Sequence, residues 1–162
     1  EHLDLDLPEV QSLDPQEVIQ DKLRAAQKQQ SGEFMVEDTS LYLDGLNGFP
    51  GPLIKWMLQS VGNDGIYKLT QKIGNNNASV RAVIGYVDTS DQIHYFDGEI
   101  IGKIVAPVGE VGQGFGWDSI FQPDGLNETF AEMGDELKQQ FSHRSLAAKK
   151  FRVFLQDQGR LA

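Results

Sequence analysis

The chain contains no cysteine, so its candidate groups for catalysis or ligand binding are carboxylates, nitrogen donors and aromatic rings. Glu17 lies near the start of a predicted helix, and Asp38 follows a short apolar run. Carboxylates at two such positions can converge on one divalent cation that prefers oxygen ligands. Each also has a plain structural explanation, since a glutamate in a first helical turn stabilises the helix and an acidic pair after a strand forms a solvated turn. With no cysteine and only three histidines, a bound metal is expected to be Mg²⁺ rather than Zn²⁺.

A second group of candidates is the run Phe115-Gly116-Trp117-Asp118, which follows a glycine-rich stretch. Two aromatic faces and a carboxylate can stack on a planar heterocycle and form hydrogen bonds with it. The alternative is that both rings belong to the hydrophobic core. Phosphate binding by the glycines is the weaker interpretation, because neither a dinucleotide-binding motif nor a P-loop is present.

Basic side chains form the third group. Ser142-His143-Arg144 lies one helical turn after Lys138, and Lys55 lies beside Trp56. A serine-histidine pair for nucleophilic catalysis is disfavoured, because adjacent residues on a helix do not face each other. Arg144 as a planar fork and Lys138 as a point charge suit phosphate or base oxygens, although a solvated helix surface is the alternative for each cation.

The elements that must position these groups follow from capping residues and hydrophobic periodicity. Asp14-Pro15 with Glu17 predicts a helix start. The run Phe34-Met35-Val36 predicts a buried strand that ends at 37–39. The remaining predicted elements are a helix at about 53–60 closed by Gly62, a second capped by Asp64, a β-hairpin of 80–88 and 93–105, a helix from Asp135 and a last helix from Ser142.

Length and charge limit the function classes. A chain of 162 residues is the size of one domain, here residues 1–162, and helices that alternate with strands predict an α/β fold with a mixed twisted sheet, flanking helices and two lobes around a cleft. The formal net charge of −10 argues against a nucleic-acid partner. The sequence has no long apolar run, which argues against a membrane protein. The absence of cysteine fits a reducing compartment, and we expect the cytoplasm.

Six segments in a fixed order resemble the inosine triphosphate pyrophosphatase family, and the resemblance runs from about Leu3 to Leu155. It implies an elongated fold with a nucleotide cleft between two lobes, usually as a homodimer. It also implies Mg²⁺-dependent cleavage, with Mn²⁺ a possible substitute, of non-standard purine nucleoside triphosphates into a monophosphate and pyrophosphate. The segments are Leu7-Pro8-Glu9, Val36 to Thr39, Gly48 to Pro52 with Ile54-Lys55-Trp56, Phe115 to Asp118 with Phe121 and Pro123, Phe130 to Met133, and Ser142-His143-Arg144.

The resemblance also implies roles for individual residues. Hypoxanthine and xanthine carry an acceptor at O6 and a donor at N1, whereas adenine carries the reverse, so a donor and acceptor set can reject adenine. Carried over by motif, Glu17 and Asp38 are the metal-binding and water-activating carboxylates, Lys55 and Lys138 are phosphate contacts, Phe115 and Trp117 are the base-stacking pair, and Asp118, His143 and Arg144 read the base edge.

The chain departs from the family pattern at its beginning. Members normally open with a strand and a Gly-Asn-x-x-Lys loop that contacts phosphates, and nothing from Glu1 onwards matches it. We therefore expect a chain that begins here to turn over substrate slowly and to self-associate through an unpaired sheet edge. The alternative functions are a catalytically weak relative that binds a nucleotide or a protein partner, and a plain interaction module.

Overall fold

The computed structural model describes residues 5, 7–109 and 115–161. Its helices and strands follow one another along the chain as α1 (Pro15–Gln29), β1 (Phe34–Leu43), a short 3-10 helix (Asp44–Leu46), β2 (Pro50–Gly51), α2 (Ile54–Ile73), β3 (Asn77–Val87), β4 (Ile93–Ile104), β5 (Phe121–Pro123), α3 (Phe130–Phe141) and α4 (His143–Asp157). In the described part of the chain, no helix is both long enough and apolar enough to cross a membrane.

One five-stranded sheet in the order β2-β1-β3-β4-β5 connects these elements. The α/β class with flanking helices is therefore as expected. Its strand directions differ from the expected mixture, since every pairing among the described strands is antiparallel. The long hairpin of β3 and β4 forms the centre of the sheet, and its turn covers residues 88–92, one residue more than the predicted 89–92.

Helices cover both faces of the sheet at one end. A Cβ atom on Gly85 of β3 would lie 2.1 Å from the Ile19 side chain of α1. On the opposite face, a Cβ atom on Gly98 of β4 would lie 2.1 Å from the carbonyl oxygen of His143, at the start of α4. These glycines allow both helices to pack directly on the strand backbone, which fixes the first turn of α4 against the sheet.

The apolar residues form separate clusters at the two ends of the sheet. The larger cluster packs α2, α3 and β5 against the end of the sheet where β1 finishes and β3 begins. It includes Leu41, Ile66, Trp117, Phe121 and Phe130. Smaller clusters under α1 and under α4 hold the opposite end. Two packed regions therefore flank the central part of β1, in keeping with the predicted two lobes.

Two of the differences from the predicted element boundaries bear on the candidate site. β1 does not end at residue 36: it continues to Leu43, so Glu37 and Asp38 lie within a strand rather than in a solvated turn. The helix predicted from Asp135 begins earlier, at Phe130, because Thr129 and Glu132 form a capping box. That helix is interrupted at Gly134, whose φ is 70°. In α2, Gly62 with φ 64° breaks the helix where the sequence predicted an end.

Candidate active site

The candidate site is built around two consecutive carboxylates of β1. Successive side chains of a strand point to opposite faces, so Glu37 faces α4 and Asp38 faces α1. β2 pairs with β1 only at Leu41 and Tyr42, and the outer edge of residues 34–40 has no strand partner in the part of the chain that the structure describes. A ligand at this edge can therefore reach side chains on both faces of the sheet.

On the α1 face, Asp38 forms an ion pair with Lys22. The Lys22 Nζ atom lies 3.1 Å from Asp38 Oδ1 and 3.0 Å from Glu9 Oε2, so one ammonium group joins two carboxylates. Asp38 Oδ2 is buried and has no hydrogen-bond partner among the described residues. Burial raises the pKa of Asp38 above its ordinary value despite the neighbouring Lys22. Burial alone would lower the pKa of Lys22, but Asp38 and Glu9 raise it, which keeps this side chain charged.

Among the described residues, no hydrogen bond or ion pair joins Glu17 to Asp38 or to Lys22. Glu17 is exposed in the first turn of α1, and its carboxylate accepts a hydrogen bond of 2.5 Å from the Ser12 hydroxyl. Glu9, from the segment before the helix, is the second carboxylate at the Lys22 ammonium group. The metal-ligand role of Glu17 stays a prediction, and Glu9 is a second carboxylate candidate beside Asp38.

Glu9 and Lys22, the two residues that join Asp38 in this cluster, were not among the sequence-based candidates. The sequence nevertheless contains an indication of each. Glu9 belongs to the Leu7-Pro8-Glu9 segment that carries the family resemblance. Lys22 lies three residues after Ile19 and one before Leu23, which places it beside the buried stripe of α1. A lysine in that position needs a charged partner inside the fold.

On the opposite face, Asp118 forms a buried ion pair with Lys138 of α3. Lys138 Nζ lies 2.5 Å from Asp118 Oδ2, and the Phe115 backbone N–H donates to the same oxygen at 2.8 Å. Asp118 Oδ1 is buried and has no hydrogen-bond partner in the described part of the chain. Lys138 is therefore paired with Asp118 in this structure, and the phosphate contact that the resemblance implies for it stays a prediction.

The two predicted stacking rings differ sharply in exposure. Phe115 is 47% exposed, whereas Trp117 is 2% exposed and belongs to the larger hydrophobic cluster. Their ring centroids lie 5.7 Å apart with planes at 75°, so the rings present no common flat surface. In this structure Phe115 can offer a face to a ligand, and Trp117 supports it from the core.

His143 is a buried, uncharged side chain in the same region. It is 2% exposed and stacks on Phe130, with centroids 5.9 Å apart. Neither ring nitrogen has a hydrogen-bond partner among the described residues. Burial lowers the pKa of His143 to about 3, and the charges of Lys138 and Arg144 act in the same direction. A neutral imidazole offers one donor and one acceptor.

We expect the His143 ring to stay neutral between pH 5 and 8. Its ring resonances, followed by NMR during a pH titration, should not shift in that range. The unfolded chain takes up a proton on this residue below about pH 6.5 whereas the folded chain does not, so His143 makes the fold less stable as the pH falls from 6.5 towards 3. A titration midpoint near pH 6.5 for this ring in the folded protein would contradict the expectation.

The last two predicted cations lie at the surface of this region. Arg144 Nε lies 2.5 Å from Glu37 Oε1, and its guanidinium carbon lies 4.8 Å from the centroid of the Phe115 ring. Lys55 is exposed in the first turn of α2, with Nζ 5.5 Å from the Trp56 ring centroid. Helix α2 reaches the Phe115 segment through Asn63, which donates to the Gly116 carbonyl at 2.9 Å. The phosphate role of Lys55 stays a prediction.

Known proteins with similar sequences and structures are consistent with this arrangement. The chain is 44% identical over 156 residues to the inosine triphosphate pyrophosphatase of Schizosaccharomyces pombe, covering 96% of this chain and 81% of that protein. It is 40% identical over 152 residues to the dITP/XTP pyrophosphatase of Methanopyrus kandleri, covering 93% and 80%. The structure of the Staphylococcus aureus Ham1 protein superposes with a TM-score of 0.79 at 30% identity, covering 96% of this chain and 82% of that one. The family model described as Ham1 family matches residues 2–154, and this chain belongs to that family.

Proposed function

We propose that the protein hydrolyses non-standard purine nucleoside triphosphates, such as inosine and xanthosine triphosphates and their deoxy forms, to the monophosphate and pyrophosphate. The observation that carries this proposal is the arrangement around β1. The buried Asp38 carboxylate, paired with Lys22, lies on one face of the strand. On the other face lie the exposed Phe115 ring and the buried carboxylate of Asp118, which can stack on and pair with a base. The similarity to the inosine triphosphate pyrophosphatase of S. pombe and the dITP/XTP pyrophosphatase of M. kandleri supports the same reaction.

Base recognition is assigned to the α4 face of the sheet. Phe115 supplies an exposed ring on which a base can stack, and Arg144 supplies donors suited to an oxygen at purine C6. Asp118 Oδ1 and neutral His143 are buried polar groups that can pair with the remaining base edge. Adenine presents the opposite pattern, so its binding would leave these groups unpaired, which is how a polar site rejects an analogue strongly.

The α1 face is assigned to the phosphates and to a divalent cation. Among the described residues no group of three or more metal-ligating side chains is found, but Mg²⁺ commonly uses one or two protein carboxylates and completes its shell with water and phosphate oxygens. Asp38 Oδ2, which is buried and without a partner among those residues, fits such a ligand, with Glu9 as the second carboxylate. When bound, Mg²⁺ or Mn²⁺ would offset the negative charge of the triphosphate.

In the proposed reaction the chain's own residues orient the phosphates and accept a proton. Lys22, with Lys55 as the predicted further contact, provides positive charge for the phosphate oxygens. The oxygen of water forms a bond to the α phosphorus. The bond between that phosphorus and the oxygen that bridges the α and β phosphates breaks, and pyrophosphate leaves with the bridging oxygen. The water proton passes to the Asp38 carboxylate, whose raised pKa favours this acceptor role.

Two further parts of the proposal rest on the family resemblance. The protein is proposed to work as a homodimer, and its location is proposed to be the cytoplasm, with which the absence of cysteine is compatible. Sedimentation of the purified chain and localisation of a tagged copy would test the two statements separately.

The purified protein is expected to release pyrophosphate from inosine and xanthosine triphosphates in the presence of Mg²⁺, with far lower kcat/KM for adenosine triphosphate. The measurement is pyrophosphate release over a panel of triphosphates, with excess chelator as the control. Release of orthophosphate instead of pyrophosphate would contradict the proposed cleavage position. Tight inosine nucleotide binding without turnover would favour the alternative of a nucleotide-binding relative.

A further inference from the structure

We propose that Glu37 is a positioning residue that fixes the Arg144 guanidinium for recognition of the purine edge, and so determines substrate specificity. This inference rests on the proposed function and adds to it a residue that contributes no group of its own to the base. Glu37 belongs to the strand rather than to α4, and it is 107 residues from Arg144 in sequence.

The contact between the two side chains defines which guanidinium atoms stay available. Glu37 Oε1 accepts from Arg144 Nε at 2.5 Å, so the carboxylate lies on the Nε side of the planar group. In the described part of the chain, the two terminal nitrogens of Arg144 have no acceptor. Because the guanidinium is rigid, fixing Nε fixes the direction of the terminal nitrogens as well.

One other contact restricts the Arg144 side chain, and two contacts of the preceding residue hold its backbone. The guanidinium carbon lies 4.8 Å from the Phe115 ring centroid, within the range of a cation–π contact. The backbone of the preceding residue, His143, packs directly on Gly98 of β4, and its buried ring stacks on Phe130. The base of the Arg144 side chain is therefore fixed by α4, whereas its charged end depends on Phe115 and Glu37.

A guanidinium held in this way suits the bases of the proposed substrates. Arginine characteristically donates two parallel hydrogen bonds to O6 and N7 of a 6-oxopurine. At the same position adenine carries an amino group, which is a donor and would face the donors of Arg144. Discrimination by Arg144 requires the correct direction of its terminal nitrogens, and Glu37 supplies that constraint.

Glu37 also adjoins the proposed catalytic carboxylate. Asp38 is the next residue of the same strand and points to the other face. One short segment of β1 therefore holds the recognition arginine on one face and the phosphate side on the other. The same contact defines the opposite role, in which a carboxylate that occupies Arg144 competes with the base. The two roles predict opposite changes in affinity.

The test uses Glu37→Gln, Arg144→Ala and the double variant in the full chain. Glu33→Gln is the matched control, because Glu33 forms a similar carboxylate–arginine pair with Arg160 at the other end of the sheet. Two quantities are measured for each protein: kcat/KM for inosine and adenosine triphosphates by pyrophosphate release, and the dissociation constants of inosine and adenosine monophosphates by calorimetry. Denaturant unfolding of each variant checks that the fold is retained.

Glu37→Gln is expected to weaken inosine monophosphate binding about 10-fold, the factor given by about 1.4 kcal/mol from one charge-assisted hydrogen bond. KM for inosine triphosphate should rise by a similar factor while kcat changes little, and the adenosine values should change by less than about 2-fold. The double variant should match Arg144→Ala, because Glu37 acts only through that arginine. The Glu33→Gln control should leave the ratio of inosine to adenosine affinities unchanged.

Three results would overturn the inference. Tighter inosine binding in Glu37→Gln would show that the carboxylate competes with the base. Equal losses for inosine and adenosine nucleotides would place its effect on the phosphate side. Losses that add in the double variant would show that Glu37 does not act through Arg144. If the unmodified chain binds inosine monophosphate but releases no pyrophosphate from inosine triphosphate, the proposed function fails, and the binding ratios still decide the role of Glu37.

Discussion

Replacement of Asp38 by asparagine is expected to lower kcat for inosine triphosphate by about 100- to 10,000-fold, the range that a general base contributes. The amide cannot take up the water proton, and it is a poorer ligand for a divalent cation than a carboxylate. Because Asn has nearly the same shape, the fold should be retained, although Lys22 then keeps Glu9 as its remaining carboxylate partner. Pyrophosphate release under single-turnover conditions at saturating Mg²⁺ measures the effect directly.

Glu9→Gln and Glu17→Gln form a matched pair of controls for this result. Both remove one carboxylate at the start of the chain, but only Glu9 contacts the ammonium group that Asp38 also contacts. We expect Glu9→Gln to raise the Mg²⁺ concentration needed for half-maximal turnover, and Glu17→Gln to behave like the unmodified protein. Equal losses in the two variants would support Glu17 as a ligand after all, and an unimpaired Asp38→Asn would exclude the catalytic role of that residue.

Replacement of Trp117 by alanine is expected to lower the free energy of unfolding by about 3–5 kcal/mol, as large-to-small changes of buried aromatic residues do. The indole is 2% exposed and packs in the cluster that joins α2, α3 and β5 to the sheet. Its loss also removes the support of Phe115 and His143. Denaturant unfolding at equilibrium measures the change.

Phe115→Ala is the companion variant, because the second ring of the pair is 47% exposed. Its stability should stay within about 0.5 kcal/mol of the unmodified protein, as for most surface substitutions. Affinity for adenosine nucleotides should fall by about 1–3 kcal/mol, since stacking on an aromatic ring does not depend on base identity. Affinity for inosine nucleotides should fall further, because Phe115 also restrains the Arg144 guanidinium. A stable Trp117→Ala protein with weakened binding would show instead that the indole itself meets the base.

Local signals in the sequence were sufficient for elements whose ends are set by neighbouring residues. Asp14 caps α1 as predicted, because its side chain accepts from the Gln16 N–H two residues away. Gly62 interrupts α2 through a positive φ that its own lack of a side chain permits. The length of β1 could not be predicted in this way. Glu37 and Asp38 look like a turn until their partners on α4 and α1 are known, and those contacts exist only in the folded chain.

The same distinction applies to the candidate site. The motif comparison located Asp118 and His143, but it did not predict that Asp118 pairs with Lys138 or that only 2% of the His143 side chain is exposed. Glu9 and Lys22 were missed as partners of Asp38 because their proximity depends on how the first segment and α1 pack on the sheet. Several residues of the candidate site were therefore predictable from the sequence, whereas the ion pairs that join them across the fold were not.

The alternation of Glu37 and Asp38 along β1 restricts which changes of chain length this protein can accept. A strand repeats every two residues, so one residue inserted or deleted just before Glu37 would exchange the faces of every following side chain. The carboxylate at Lys22 would then turn towards α4, and apolar residues such as Leu41 would leave the core for solvent. Changes of length should therefore be confined to the loops on either side of β1, such as the segment at Gln30–Glu33, where no ladder fixes the register.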